Sequence, residues 1–128
     1  MKTIRMISMS LLLGFLLILS AHVRAQDPVT VAPNVYKKIL LENANVRVVQ
    51  LELGPGETIP WHSHPDHFVY AITDGKLEIT DKGKPAVVAE IKAGEAMYMI
   101  ATTHMVKNIG ENQIKFIVTG LKIINTKK

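Results

Sequence analysis

The stretch Gly56 to Gly75, GETIPWHSHPDHFVYAITDG, carries three of the chain's five histidines: His62, His64 and His67. A fourth, His104, stands downstream in GEAMYMIATTHMVKN, and the fifth, His22, lies near the N-terminus. His62 and His64 have the i, i+2 spacing that puts two side chains on one face of a β-strand. Two imidazoles on one face, joined by a third from another strand, make an open site for a transition metal. The rest of the chain reads as the scaffold for that site.

Outward from this stretch the pattern is β. In VRVVQLEL, Val49, Leu51 and Leu53 share one face while Gln50 and Glu52 share the other, the period of a half-buried strand. Gly54-Pro55-Gly56 ends it, and Pro60 keeps the next segment extended. HFVYAI is rich in aromatic and β-branched residues, Asp74-Gly75 reads as a hairpin turn, and KLEIT reads as its return strand. Lys82-Gly83-Lys84-Pro85 marks a second turn. AVVAEI, AMYMI, HMVKN and IKFIVTGLKI supply further strands. Val35 to Asn43 fits either a helical turn or an edge strand. No good long helix follows Ala25, so the pattern predicts an all-β sandwich or barrel.

The N-terminus is read separately. Lys2 and Arg5 precede the apolar run LLLGFLLIL (Leu11 to Leu19), and Val23 and Ala25 occupy the positions of a small-residue cleavage site. This is the pattern of a secretory signal peptide over residues 1–25, cut after Ala25. The run is shorter than the ~20 apolar residues of a spanning helix, so no stable membrane anchor is expected after cleavage. Residues 26–45 form a lead-in, and residues 46–128 the barrel domain. Without Lys2, Arg5 and Arg24, the 15 basic residues become 12 against 11 acidic ones, a net charge near +1. Only scattered lysines remain, without the basic stripe that nucleic acid requires. The exported compartment permits disulfides, but the chain has no cysteine.

At its two histidine segments the sequence resembles the cupin superfamily. That family's first motif runs Gly, His-x-His, Glu, Gly, and here Gly56, His62, His64 and Gly75 stand at the matching places. The second runs Gly, Pro-x-Gly, His, Asn, and here Gly94, His104 and Asn108 match, with the interval before His104 one residue short. The resemblance implies a small jelly-roll barrel with a metal inside its mouth, held by His62, His64 and His104. It also implies a homodimer, and dioxygenase or isomerase chemistry as what small cupins commonly perform. Two departures stand out. Phe68 and Val69 occupy the places of the family's glutamate, and Ile100 and Thr102 replace the proline and glycine of the second motif.

His67 stands just before the missing glutamate and completes the candidate ligand set. Strict alternation from His64 would turn Phe68 inward rather than His67, but Pro65-Asp66 can break the alternation with a bulge or turn. Three or four neutral imidazoles suit one divalent Mn, Fe, Ni, Cu or Zn per chain. Arg47 shares a face with Val49, Leu51 and Leu53, so it is a candidate for meeting an acidic ligand in a bidentate contact, against the plainer role of a strand-end arginine. Phe68, Tyr70, Met97, Tyr98 and Met99 are the remaining pocket candidates; each is equally at home in a core or a dimer interface. The expectation is thus an exported, periplasmic or secreted, metal-binding cupin. It acts on a small molecule as a metal-dependent dioxygenase or isomerase, or serves as a non-enzymatic ligand- or metal-binding module.

Overall fold

The computed structural model describes residues 27–122. The expected signal peptide over residues 1–25 lies outside the described residues. A single helical turn, α1 (Pro28–Val31), is followed by nine strands. These are β1 (Tyr36–Glu42), β2 (Val46–Leu53), β3 (Thr58–His64), β4 (His67–Ala71), β5 (Gly75–Asp81), β6 (Val87–Ile91), β7 (Ala96–Met99), β8 (Thr102–Asn108) and β9 (Ile114–Leu121). A five-stranded sheet has the order β1-β2-β9-β4-β7, and a four-stranded sheet the order β3-β8-β5-β6. All neighbours are antiparallel. The chain forms the all-β jelly-roll barrel that the strand pattern and the resemblance predict.

The core lies between the sheets. Val49, Leu51 and Leu53 of β2 face Ile59, Leu77, Ile79 and Val106 of the opposite sheet, and Phe116 and Val118 of β9 complete the layer. The period-2 pattern of β2 decides this, because alternate residues of a strand point to opposite faces. The open segment before Val46 resolves as β1, which pairs with β2 and extends the barrel upstream of that residue.

Asp74-Gly75 does not close a hairpin. β4 pairs with β7 and β9 in one sheet, while β5 pairs with β6 and β8 in the other. The chain passes between sheets here, held by Ile72 and Thr73 amides donating to the Lys115 carbonyl. Gly75 is required by the crossing, since a Cβ on it would meet the Phe116 ring at 2.7 Å. Lys82 to Pro85 does connect a paired hairpin, β5–β6. Gly94 of the second motif has φ +87°, a backbone conformation that favours glycine.

Candidate metal centre

Two irregularities aim the histidines. The first is in β3. Ile59 pairs with Val106 and His62 with His104, so β3 spends one residue more than β8 over the same interval. Pro60, which has no amide to donate, sits in this bulge. Without the extra residue, Ile59 facing inward would be followed by Trp61 and Ser63. With it, His62 and His64 turn inward and Trp61 is exposed. The second irregularity is the corner Pro65-Asp66, where the chain leaves one sheet and enters the other as β4. The crossing resets the alternation, so His67, Val69 and Ala71 are buried. Phe68 and Tyr70 point out, 38% and 44% exposed.

His67 therefore faces the interior, and Phe68, in the place of the family glutamate, does not. Asp66 fixes the corner. Its Oδ1 accepts from the Ala101 amide at 2.7 Å and its Oδ2 from the Tyr98 hydroxyl at 3.0 Å, tying β4 to the connection between β7 and β8.

His62, His64 and His104 form the cluster that could hold a metal ion, with one ring nitrogen from each within 4.8 Å of the others. His62 and His104 face each other across β3 and β8. His67 stacks on His64 with ring centroids 4.3 Å apart and planes at 24°. It is beside the trio rather than within it. His62, His67 and His104 are 0%, 1% and 3% exposed.

The donor set fits a metal. His62 Nδ1–H donates to the Pro60 carbonyl at 2.7 Å and His67 Nδ1–H to the Pro65 carbonyl at 2.8 Å. A carbonyl only accepts, so these bonds place the proton on Nδ1 and leave the Nε2 lone pair free. His62 Nε2 is buried without a protein partner. Buried polar atoms are normally paired, so an orphan of this kind marks a place where another species completes the bonding. Burial, followed by the neighbouring imidazoles, pushes His64 down to about 2 and His104 down to about 4 from the ordinary 6.5. Burial also lowers His62 and His67. All four are thus held neutral, the form that ligates metals.

An acid-stability prediction follows for the metal-free protein. A histidine whose folded value is depressed contributes stability that is fully present above the unfolded value near 6.5. That stability is lost as pH falls, because the unfolded chain takes up protons the folded site refuses. The thermal midpoint of the apo-protein should decline as pH falls below about 6.5, the His104 contribution being lost by about pH 4 and that of His64 continuing toward about pH 2. A midpoint independent of pH across that window would contradict the buried neutral cluster.

Two residues that the sequence pattern left out belong to the site. Asp81 stands in register with His104 across β5 and β8. Its Oδ1 lies 3.7 Å from the unpartnered His104 Nδ1 and accepts from Thr102 Oγ1 at 2.9 Å. The signal was present in KLEITD, where Leu77, Ile79 and Asp81 share a face. A carboxylate behind a ligating imidazole fixes its orientation and basicity. Asp81→Ala should weaken metal binding by roughly 10- to 100-fold, read by competition against a chelating indicator; unchanged affinity would reduce Asp81 to a surface partner of Thr102. The other residue is Tyr36, buried on β1, whose hydroxyl lies 3.4 Å from His64 Nε2. Burial, then the charge of Asp27, raises its phenol above the ordinary value. No periodicity in its segment announces it.

The four histidines open onto a cavity of about 50 Å³ lined otherwise by Tyr36 and apolar side chains, Met97 and Met99 among them. The remaining pocket candidates are corrected. Phe68, Tyr70 and Tyr98 lie on the outer face of the five-stranded sheet, Tyr98 being 59% exposed. Arg47 reaches away from the cavity. Its Nη1 donates to both Asp27 carboxylate oxygens at 3.1 and 2.8 Å, and its Nε lies 3.3 Å from Glu42. The same Asp27 caps α1 through the Val29 amide, so this arginine fastens the lead-in to the barrel instead of meeting a ligand.

The jelly roll with inward histidines at the barrel mouth defines a cupin-type protein. The family model described as Cupin domain matches residues 49–120, and the chain belongs to that family. Among solved structures it is similar to a cupin domain from Bordetella pertussis Tohama I, at 23% identity and TM-score 0.62, covering 67% of this chain and 91% of that one. It is also similar to a cupin-like protein from Thermotoga maritima, at 24% identity and TM-score 0.54, covering 67% of each chain. An RmlC-like cupin with a double-stranded β-helix fold from Methanocaldococcus jannaschii matches at 21% identity and TM-score 0.55, over 66% of this chain and 77% of that one. At these identities the likeness concerns the fold. No curated protein matches the chain.

Proposed function

We propose that the protein is an exported cupin that binds one divalent transition metal through His62, His64 and His104, with His67 as an adjoining fourth donor, and uses it in dioxygenase or isomerase chemistry on a small molecule. The observation that carries this is the convergence of three neutral imidazoles, two buried and His64 half-buried, at an apolar cavity. When bound, such a metal supplies Lewis acidity or electron transfer to a ligand beside it. The chain's own part is to hold the imidazoles neutral, aim them through the Pro60 and Pro65 carbonyls, and exclude water with the apolar lining. Export is carried by the apolar run and the cleavage pattern that ends at Ala25. A homodimer belongs to the same proposal, since the outer face of the five-stranded sheet leaves Phe68, Tyr70 and Tyr98 open to a second copy.

A second reading is a non-enzymatic binding module in which the metal braces a small barrel. The cavity of about 50 Å³ favours it, being small for a substrate. One experiment separates the two. Residues 26–128, purified without chelator or nickel affinity resin, should carry about one equivalent of metal. Redox metal with dioxygen consumption on small-molecule screening supports the enzyme. Metal with no turnover, and a large fall in thermal midpoint on chelation, supports bracing. Protein that takes up no transition metal even on reconstitution removes both; light scattering on the same preparation reads the oligomeric state.

A further inference from the structure

Among the described residues lining the cavity, Tyr36 carries the only hydroxyl. It reaches the trio from β1 in the five-stranded sheet, opposite β3 and β8, which carry His62, His64 and His104. The side chain is buried and its oxygen lies 3.4 Å from His64 Nε2. Its ring centroid is 6.3 Å from that of His62 and 6.4 Å from that of His64, so the phenol stands against the cluster rather than apart from it.

A ring nitrogen has one lone pair. If His64 gives Nε2 to a metal, that nitrogen can no longer accept from the Tyr36 O–H. A buried donor without an acceptor is costly, so the hydroxyl must turn to another atom close by. Apart from the His67 ring, whose Nε2 keeps its lone pair, the lining is apolar and offers none. The acceptor that remains besides His67 is a molecule bound beside the histidines. Nor does any charged side chain line the cavity. Arg47, the only arginine among the described residues, is held by Asp27 and Glu42. A ligand here finds counter-charge only in the metal, and outside the imidazoles directional recognition only in the phenol.

We propose that Tyr36 is the ligand-contacting donor of this site. Its hydroxyl hydrogen-bonds the acceptor atom of the molecule bound at the histidine centre, and so selects small, at most singly charged molecules with an acceptor beside an apolar body. This rests on the metal-binding function proposed above. It makes β1, contributed by the lead-in and not by the histidine motifs, the element that sets ligand preference.

The test loads wild type and Tyr36→Phe with cobalt(II) and titrates azide, a singly charged acceptor small enough for the cavity, following the cobalt visible spectrum. Circular dichroism confirms that both fold. Both proteins should take up cobalt, and azide should bind the variant roughly ten-fold more weakly. Equal azide affinity in the two cobalt proteins overturns the proposal and leaves the metal site standing. A ten-fold loss of cobalt affinity in Tyr36→Phe also overturns it, because the hydroxyl would then be a support for His64. Wild type that takes up no cobalt overturns the metal function and the Tyr36 proposal together.

Discussion

His62→Ala and His104→Ala should each lower transition-metal affinity by roughly 100-fold or more while leaving a folded barrel. Each removes one of three nitrogens that lie within 4.8 Å of one another, and no carboxylate in the cluster is placed to take its role. Both residues are buried, His62 toward the end of β3 and His104 toward the start of β8, where they face each other across the ladder. The substitution leaves space that the apolar surroundings only partly fill, a cost of about 1–3 kcal/mol. Against that, His62→Ala removes a buried Nε2 that has no protein partner. The folding penalty should therefore be modest beside the loss of metal. Isothermal titration on the apo-proteins reads the affinity, and thermal melting reads the fold.

His67→Ala provides the contrast. Its ring stacks on His64 but lies outside the trio, so it should weaken metal binding clearly less than the other two. Equal losses in all three variants would make His67 a full ligand. Wild-type affinity in His62→Ala would refute the site.

Asn108→Ala should lower the thermal midpoint by about 10–20 °C. Asn108 is fully buried, and its amide joins three parts of the barrel. Nδ2 donates to the Leu53 carbonyl at 3.0 Å and to the Asn112 carbonyl at 2.9 Å, and Oδ1 accepts from the Gly110 amide at 3.0 Å. Truncation leaves those backbone groups without their partner and a void in place of the amide. Each unsatisfied buried group costs about 1–3 kcal/mol, so a total near 3 kcal/mol follows even if water reaches the turn. The second motif's asparagine thus secures the β8–β9 turn and the end of β2, at the opposite end of β8 from Thr102. Metal affinity of a folded Asn108→Ala protein should stay close to wild type. A variant that melts like wild type would show that the turn holds without the side chain.

Much of the barrel is legible in the sequence because strand alternation is a local property. Val49, Leu51 and Leu53 announce the buried face of β2, and the glycines and prolines mark most of the turns. His62, His64 and His104 are legible as a set because the glycine frame of two motifs brackets them. Asp74-Gly75 misleads for a related reason. A turn dipeptide reports that the chain bends, not which sheet it joins afterwards, and here the chain crosses to the other sheet. Arg47 misleads because its face is legible while its partners, Asp27 and Glu42, come from elements whose positions are not.

Local periodicity and residue chemistry thus settle the β class and the main strands, and the resemblance of the two motifs adds His62, His64 and His104 as a set. The tertiary structure alone decides the phase at Pro60 and at Pro65-Asp66, and with it the inward turn of His67 and the outward turn of Phe68. It alone brings Asp81 opposite His104 and Tyr36 against His64. The physical reason is common to all of these. Alternation carries information only as long as a strand continues, and a bulge, a sheet crossing or a pairing between distant strands depends on packing across the whole barrel.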